Sequence, residues 1–376
     1  MGRRLDLPTK KKFIELRRAF SKPVIGVTGN VGKTTTISMI NHVLSQQGKV
    51  LWNQRGYGNW KNNVSLLEKL SPDYDYAIFE FDFIRSETFT EILRILKPNV
   101  GIVTNIGDAH LCYIGGMVDI ALKRSEVVKY LARNGTAVLN KDDELSSEVA
   151  EHINTSNILK FGLSQAADYY AADIEHCGPQ GTRFKLNGKF PITIPVHSIG
   201  DIYNFLAAAA AVIAVGFPLT TVIEAFRQKF ELPAGRGKLH TLNGYYIIDE
   251  SYESTPRSVA KASRSLVGFK PYCDKLVYVI GDMIESGPNI EQQHLNMGYF
   301  LSALPIDCII PVGYYAQYIG KGMSLIQNKD KEVIPCNTAD QILTVLDKVL
   351  SKTSVLTVQG IGQAALRRIL THLEKK

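Results

Sequence analysis

Gly29-Asn30-Val31-Gly32 runs directly into Lys33-Thr34-Thr35-Thr36 in this chain of 376 residues. Glycines beside a lysine and a row of hydroxyls are what a polyphosphate requires. A Gly-rich turn lets backbone N–H groups face phosphate oxygens, and a helix starting behind it adds the favourable end of its dipole. In such a loop Gly29, Asn30, Val31, Gly32 and Thr35 line the phosphates, Lys33 reaches the β/γ-phosphates, and the Thr34 hydroxyl ligates Mg²⁺. The strict pattern wants a further glycine where this chain has Val27, so the loop is the shorter G-x-x-G-K-T-T-T form. A tight turn with a surface lysine is the plain alternative. The apolar segment 24–28 before the loop and the helical stretch 37–47 after it favour the nucleotide.

Two more segments end on groups able to hold a metal. Tyr74-Asp75-Tyr76-Ala77-Ile78-Phe79-Glu80 closes on a carboxylate bracketed by apolar and aromatic residues, where an unpaired charge would be costly. Metal ligation by Glu80 is therefore favoured over a solvated strand end. Thr104-Asn105-Ile106-Gly107-Asp108-Ala109-His110-Leu111 places a histidine after the next apolar segment. A lone histidine is more often structural, so this one draws its weight from the residues before it.

Positioning these groups requires alternating strands and helices. Strand-like segments at 24–28, 49–53, 74–81, 99–105 and 135–140 alternate with helical ones, the signature of a mostly parallel sheet. A more β-rich patch covers 158–196, and an Ala-rich helix follows from Tyr203. Leu232-Pro233-Ala234-Gly235-Arg236-Gly237 is a plausible joint, after which the alternation restarts at 245–249, 275–281, 307–313 and 354–360. The expected architecture is α/β: a basic arm over 1–22, a phosphate-loop domain over 23–233, and a smaller Rossmann-like α/β domain over 234–376.

Composition excludes several classes. With 45% apolar and 21% charged residues the chain is neither disordered nor fibrous. Its longest apolar run, Phe205 to Phe217, is too short to span a bilayer, and the basic start leads into no apolar signal region. Five scattered cysteines argue against a zinc ribbon or a disulfide framework and fit a reducing cytoplasm. Of the net charge of +7, residues 1–22 contribute +6, so no nucleic-acid footprint spreads over a folded face. That arm reads as a solvated helix face, with weak contact to an anionic membrane surface or a polyanionic substrate as the alternative.

Taken in order, the phosphate loop, Glu80, the His110 segment, Asn204-Phe205-Leu206-Ala207-Ala208, Pro233-Ala234-Gly235-Arg236, Asp249-Glu250-Ser251-Tyr252 with Pro256, and Gly281-Asp282-Met283 resemble the Mur ligase superfamily of ATP-dependent amide-forming enzymes. The resemblance runs from about residue 23 to the end. Within the superfamily it is strongest to the member that adds a D-alanyl-D-alanine dipeptide. It implies that ATP activates a carboxylate as an acyl phosphate and that an amine, from an amino acid or small peptide, displaces phosphate. Such chemistry is mostly positioning and electrostatics. The resemblance further implies that Thr34 and Glu80 hold one Mg²⁺ and that His110 helps hold a second. It places Asn204 at adenine, Arg236 at the γ-phosphate, and Asp249 and Tyr252 over the ribose and base.

Two departures stand out. The family carries a carbamylated lysine in the helix after the histidine motif, and the matching position here is Arg124, which stays protonated and cannot take a carbamate. Either Arg124 contacts phosphate directly and one metal suffices, or Lys123, about 100° away around a helix, serves instead. Peptidoglycan-forming members also place a UDP-sugar-binding domain before the loop, whereas 28 residues precede Gly29 here. That argues against an acceptor gripped by its UDP end and leaves polyglutamate-type or tetrapyrrole-cyclising relatives open. A phosphate-loop kinase or ATPase, or a nucleotide-binding partner subunit without catalysis, are the rival functions.

Overall fold

The computed structural model describes residues 4–53, 58–82, 87–107, 117–149, 153, 155, 157–284, 289–325 and 331–375. The chain forms two units. The first comprises Met1–Ile174, Phe184–Ile192 and Ile199–Phe230, the second Glu175–Arg183, Thr193–Ser198 and Glu231–Lys376. The change of unit after Phe230 falls just ahead of the Pro-Gly stretch. The short segments 175–183 and 193–198, placed in the central domain by sequence, belong to the second unit.

The first unit runs α1 (Leu7–Ala19), β1 (Val24–Thr28), α2 (Lys33–Leu44), β2 (Val50–Leu51), α3 (Trp60–Glu68), β3 (Tyr76–Phe81), α4 (Glu87–Leu96), β4 (Val100–Val103), α5 (Met117–Lys129), β5 (Thr136–Asn140), α6 (Glu144–Val149) and β6 (Ile158–Gly162). It continues through β7 (Tyr169–His176), β8 (Thr182–Leu186) and β9 (Phe190–Ile194), whose residues 175–176, 182–183 and 193–194 belong to the second unit, and then α7 (Ile199–Val215) and α8 (Leu219–Ala225). The sheet order is β2-β3-β1-β4-β5-β6-β7-β8-β9, and every pairing from β2 to β7 is parallel. β1 lies between β3 and β4 with all five residues buried, as expected of a central strand covered on both faces. In α7, Ala207 to Ala211 are all buried, small side chains that let the helix lie close to its neighbours. The expected strand 49–53 shortens to two residues at the sheet edge.

The basic arm is helical, with its phenylalanines packed in the first unit. Residues 7–19 form α1, N-capped by the Asp6 carboxylate accepting from the Thr9 N–H at 2.8 Å. Phe13 and the following Phe20 are fully buried in one cluster with Phe89, Ile92, Leu93 and Leu96. The charges are taken up at home: Arg4 pairs with Glu87, Lys10 with Glu91 and Lys12 with Glu68. Arg17 Nε donates to the Leu96 carbonyl at 2.6 Å, at the end of α4. Exposed ion pairs stabilise little, so the phenylalanines anchor this helix.

The second unit runs β10 (Lys238–Leu242), β11 (Tyr245–Glu250), α9 (Pro256–Val267), β12 (Lys275–Gly281), α10 (Ile290–Ser302), β13 (Cys308–Val312), α11 (Gln317–Ser324), β14 (Glu332–Val333), α12 (Ala339–Val349), β15 (Ser354–Gln359) and α13 (Gly362–Glu374). Its sheet order is β10-β11-β15-β12-β13-β14, antiparallel only at β10–β11. One apolar cluster joins α9, α10 and α11 to the sheet through Leu266, Leu301 and Ile319. Another joins α12 and α13 through Leu346 and Ile369. Helices on both faces of a mostly parallel sheet are the Rossmann-like arrangement that the alternating pattern predicts.

Candidate active site

The order β3-β1-β4 puts three strand ends side by side, the place where open α/β sheets hold ligands. Register brings Thr28 opposite Phe81 on one side and Val103 on the other. The loop from Gly29 to Gly32 leaves β1 at that point and ends at α2. Gly29 has φ +146°, and a Cβ there would lie 1.9 Å from Thr104 Oγ1. Gly32 has φ +86°, and a Cβ there would lie 2.0 Å from Asn204 Oδ1. Both positions thus require glycine for conformation and for room.

The loop is clamped from β4. Thr104 Oγ1 donates to the Val31 carbonyl at 2.7 Å, and Asn105 Nδ2 donates to the same oxygen at 2.9 Å. The Asn30 N–H donates to the Asn105 carbonyl at 3.0 Å. Thr104 and Asn105 carry this role beyond the residues expected from sequence; their position directly after a strand in the His110 segment was the available signal. His110 itself lies outside the described residues.

Lys33 Nζ donates to the carbonyls of Gly29 at 2.8 Å and Asn30 at 3.3 Å, folded over the loop it belongs to. Thr34 Oγ1 donates to Glu80 Oε2 at 3.0 Å. Glu80 is buried at the end of β3, and its backbone carbonyl accepts from Asn63 Nδ2 at 2.8 Å. A hydroxyl and a carboxylate in contact at the head of the phosphate loop are two hard oxygen donors, a set that fits Mg²⁺.

Arg124, on α5, is only 2% exposed. Nε donates to Asn30 Oδ1 at 3.1 Å and Nη1 to Thr28 Oγ1 at 3.2 Å. Burial pulls its pKa down to about 10, and the nearby Asp82 carboxylate acts in the opposite sense, so the guanidinium is charged at neutral pH. Arg124, expected from sequence to contact phosphate, grips the loop through the side chains of Thr28 and Asn30. Lys123 points elsewhere, half-exposed and 3.3 Å from Glu126.

Asn204 is brought to the loop as well. Its Oδ1 accepts from Thr36 Oγ1 at 3.4 Å and its Nδ2 donates to Asp201 at 3.2 Å. The amide, expected from sequence at adenine, here bonds the start of α2 and Asp201.

The remaining expected residues lie in the second unit. Asp249 is 1% exposed; Oδ2 accepts from the Gly235 N–H at 2.7 Å, and Oδ1 from the Ser251 N–H at 3.0 Å and Ser251 Oγ at 2.5 Å. Gln363 Nε2 adds a further bond at 3.3 Å. Asp249, expected from sequence over the ribose, thus ties the turn at 235–237 to the turn after β11. Arg236, on that first turn, stacks on the half-exposed Tyr252 ring, with the guanidinium carbon 3.8 Å from the ring centroid. Ser251 and Gln363 complete this cluster; the sequence offered a signal for the first within Asp-Glu-Ser-Tyr and none for the second.

Comparison with known proteins agrees with this geometry. The family described as the Mur ligase middle domain matches residues 27–212. The UDP-N-acetylmuramoyl-tripeptide--D-alanyl-D-alanine ligase of Escherichia coli (strain K12) is 26% identical over 390 aligned positions, spanning 99% of this chain and 83% of that protein. A crystal structure of MurF from Acinetobacter baumannii superposes with a TM-score of 0.85 at 26% identity, covering 98% of this chain and 80% of that one. The MurF ligase of Thermotoga maritima, solved in complex with ADP, superposes with a TM-score of 0.80 at 22% identity over 98% and 83% of the two chains, a likeness of fold. The chain belongs to the Mur ligase family of ATP-dependent ligases that join a carboxylate to an amine.

Proposed function

We propose that this protein activates an acceptor carboxylate with ATP at the Gly29–Thr35 loop and joins it to the amine of a D-alanyl-D-alanine-type dipeptide, releasing ADP and phosphate. The observation that carries the reading is the head of the loop, where Lys33, Thr34 and Glu80 converge at the ends of β1 and β3. Lys33 exchanges its two carbonyl partners for phosphoryl oxygens, so the charge that develops during transfer meets a cation already in place. Thr34 and Glu80 are the residues that would hold Mg²⁺, with His110 assigned to a metal by its motif. Bound there, the ion neutralises the β- and γ-phosphate charge. Thr104, Asn105 and Arg124 keep the loop's carbonyls and side chains occupied, so that it does not collapse into the site. Arg236 and Tyr252 are assigned to the nucleotide by the resemblance, their exposed stack offering a cation and an aromatic face. The choice of amine rests on the likeness to the Escherichia coli ligase.

The test is ADP release coupled to detection of the amide product, with peptide carboxylates as acceptors and D-alanyl-D-alanine as the amine. Release that depends on both substrates is expected. ADP release that ignores the amine would make the protein an ATPase or kinase, and release with L-glutamate in place of the dipeptide would move it to the polyglutamate type.

A further inference from the structure

One carboxylate beside the loop has no part in the roles assigned above. Asp82 follows β3, two residues after Glu80, and the two-residue period of an extended chain turns both side chains to one face. A Cβ placed on Gly58 would lie 2.9 Å from Glu80 Cγ and 3.2 Å from Asp82 Cβ, so the two carboxylates border the same space. Asp82 Oδ1 is shut off from solvent, has no hydrogen-bond partner among the described residues, and lies 3.9 Å from Lys33 Nζ. The side chain is 29% exposed as a whole, so it is this one oxygen that is shut in, and burying an unbonded anionic oxygen is costly unless a cation offsets it. Two cations are at hand. Lys33 is one. Arg124 is the other, fully buried, with its hydrogen bonds going to neutral Thr28 and Asn30 and with Asp82 as the acidic group acting on it.

We propose that Asp82 is the counter-charge of the phosphate loop, holding Lys33 until a nucleotide phosphate displaces it. This rests on the reading of Gly29–Thr35 as the nucleotide site. Asp82 is a positioning residue that acts on ligands through Lys33. Its charge and that of Glu80 stand against Lys33 and Arg124 around the loop. Phosphate must then compete with a carboxylate for Lys33, which weakens nucleotide binding below what the lysine alone would give and eases product departure.

The measurement is a calorimetric titration of ADP in metal-free buffer, which separates this effect from any Mg²⁺ contribution of Glu80. Asp82→Asn keeps the shape and removes the charge. ADP is expected to bind about fivefold more tightly to it, the scale of a like-charge repulsion across several ångströms of partly solvated protein, and its affinity should fall more steeply with salt. A residue that merely shaped the loop would give the opposite sign. Weaker or unchanged ADP binding by a folded Asp82→Asn therefore overturns the proposal. If that variant does not fold, Asp82→Glu decides: folding with ADP affinity near wild type supports the charge role, and failure to fold overturns it. Should wild-type protein bind no ADP, the nucleotide-site reading itself fails and this proposal with it, a result distinct from either variant outcome.

Discussion

Arg124 donates from two different nitrogens to two different side chains, Thr28 and Asn30, which flank Gly29. A planar fork does this with fixed geometry, whereas a lysine's ammonium would have to reach both acceptors from one nitrogen. Arg124→Lys should therefore lower the melting temperature and weaken ATP binding, even though the charge is conserved. A carbamate requires a neutral amine, which Arg124 does not offer, and Lys123 is paired with Glu126 away from the loop. Turnover by the wild-type enzyme should be the same in bicarbonate-depleted buffer as in untreated buffer, and Lys123→Ala should stay within about twofold of it. Recovery of a depleted enzyme by added bicarbonate would show that a carbamylated lysine serves after all.

Two packed segments make separate predictions about stability. In α1, Phe13 fills the cluster beneath α4, so Phe13→Ala should cost about 3–5 kcal/mol, as large-to-small changes of buried aromatic side chains do. Denaturant titration measures that loss; ADP affinity at low temperature should be little changed. If neutralising Lys10 and Lys12 proves more damaging than Phe13→Ala, the helix is held by charge and the packing account fails.

In the second unit, His197 lies 5.0 Å from Phe269 and 5.7 Å from His176, ring centre to ring centre, with neither ring nitrogen hydrogen-bonded among the described residues. Burial first, and then the neighbouring His176, push its pKa from 6.5 to about 3. Burial lowers His176 in the same direction. A histidine with a depressed folded pKa takes up its proton in the unfolded chain first. Stability should accordingly fall as pH drops below about 6.5 and continue to fall toward about 3, at roughly 1.4 kcal/mol per pH unit for one such group. His197→Phe should flatten that acid limb by about one proton in chemical denaturation between pH 6.5 and pH 4.5. An unchanged slope would mean that His197 is protonated in the folded protein.

Taken as one chain, the protein has two units, each with its own sheet, and both tryptophans, Trp52 and Trp60, fall in the first. Their fluorescence therefore reports on the unit that contains the phosphate loop. Because a ligand stabilises the fold it binds, ADP at a hundred times its dissociation constant should add about 2.7 kcal/mol to that unit and raise the tryptophan-reported melting temperature. A rise seen by circular dichroism but absent from tryptophan fluorescence would place the nucleotide elsewhere. Among the described residues no helix is long and apolar enough to cross a membrane.

Strand β1 could be read off residues 24–28, and the turn at Gly29–Gly32 with α2 behind it could be read off the residues that follow, because local periodicity and glycine chemistry act over a few residues of chain. The same holds for the Rossmann-like alternation after Gly237, and the ordered motifs carried the family. What no local pattern could supply is which side chains meet across strands far apart in sequence. Register alone sets Thr28 beside Phe81 and Val103, and from that follow Thr104 on the Val31 carbonyl, Asp82 beside Lys33, and Arg124 on the loop's own side chains. The partners of Asp249, which are the Gly235 N–H, Ser251 and Gln363, likewise come from folding. The basic start reads as a solvated helix face, and only the fold packs Phe13 beside Phe89 and Ile92. Residue type sets what a group can do; burial and the partners delivered by tertiary structure set what it is left free to do.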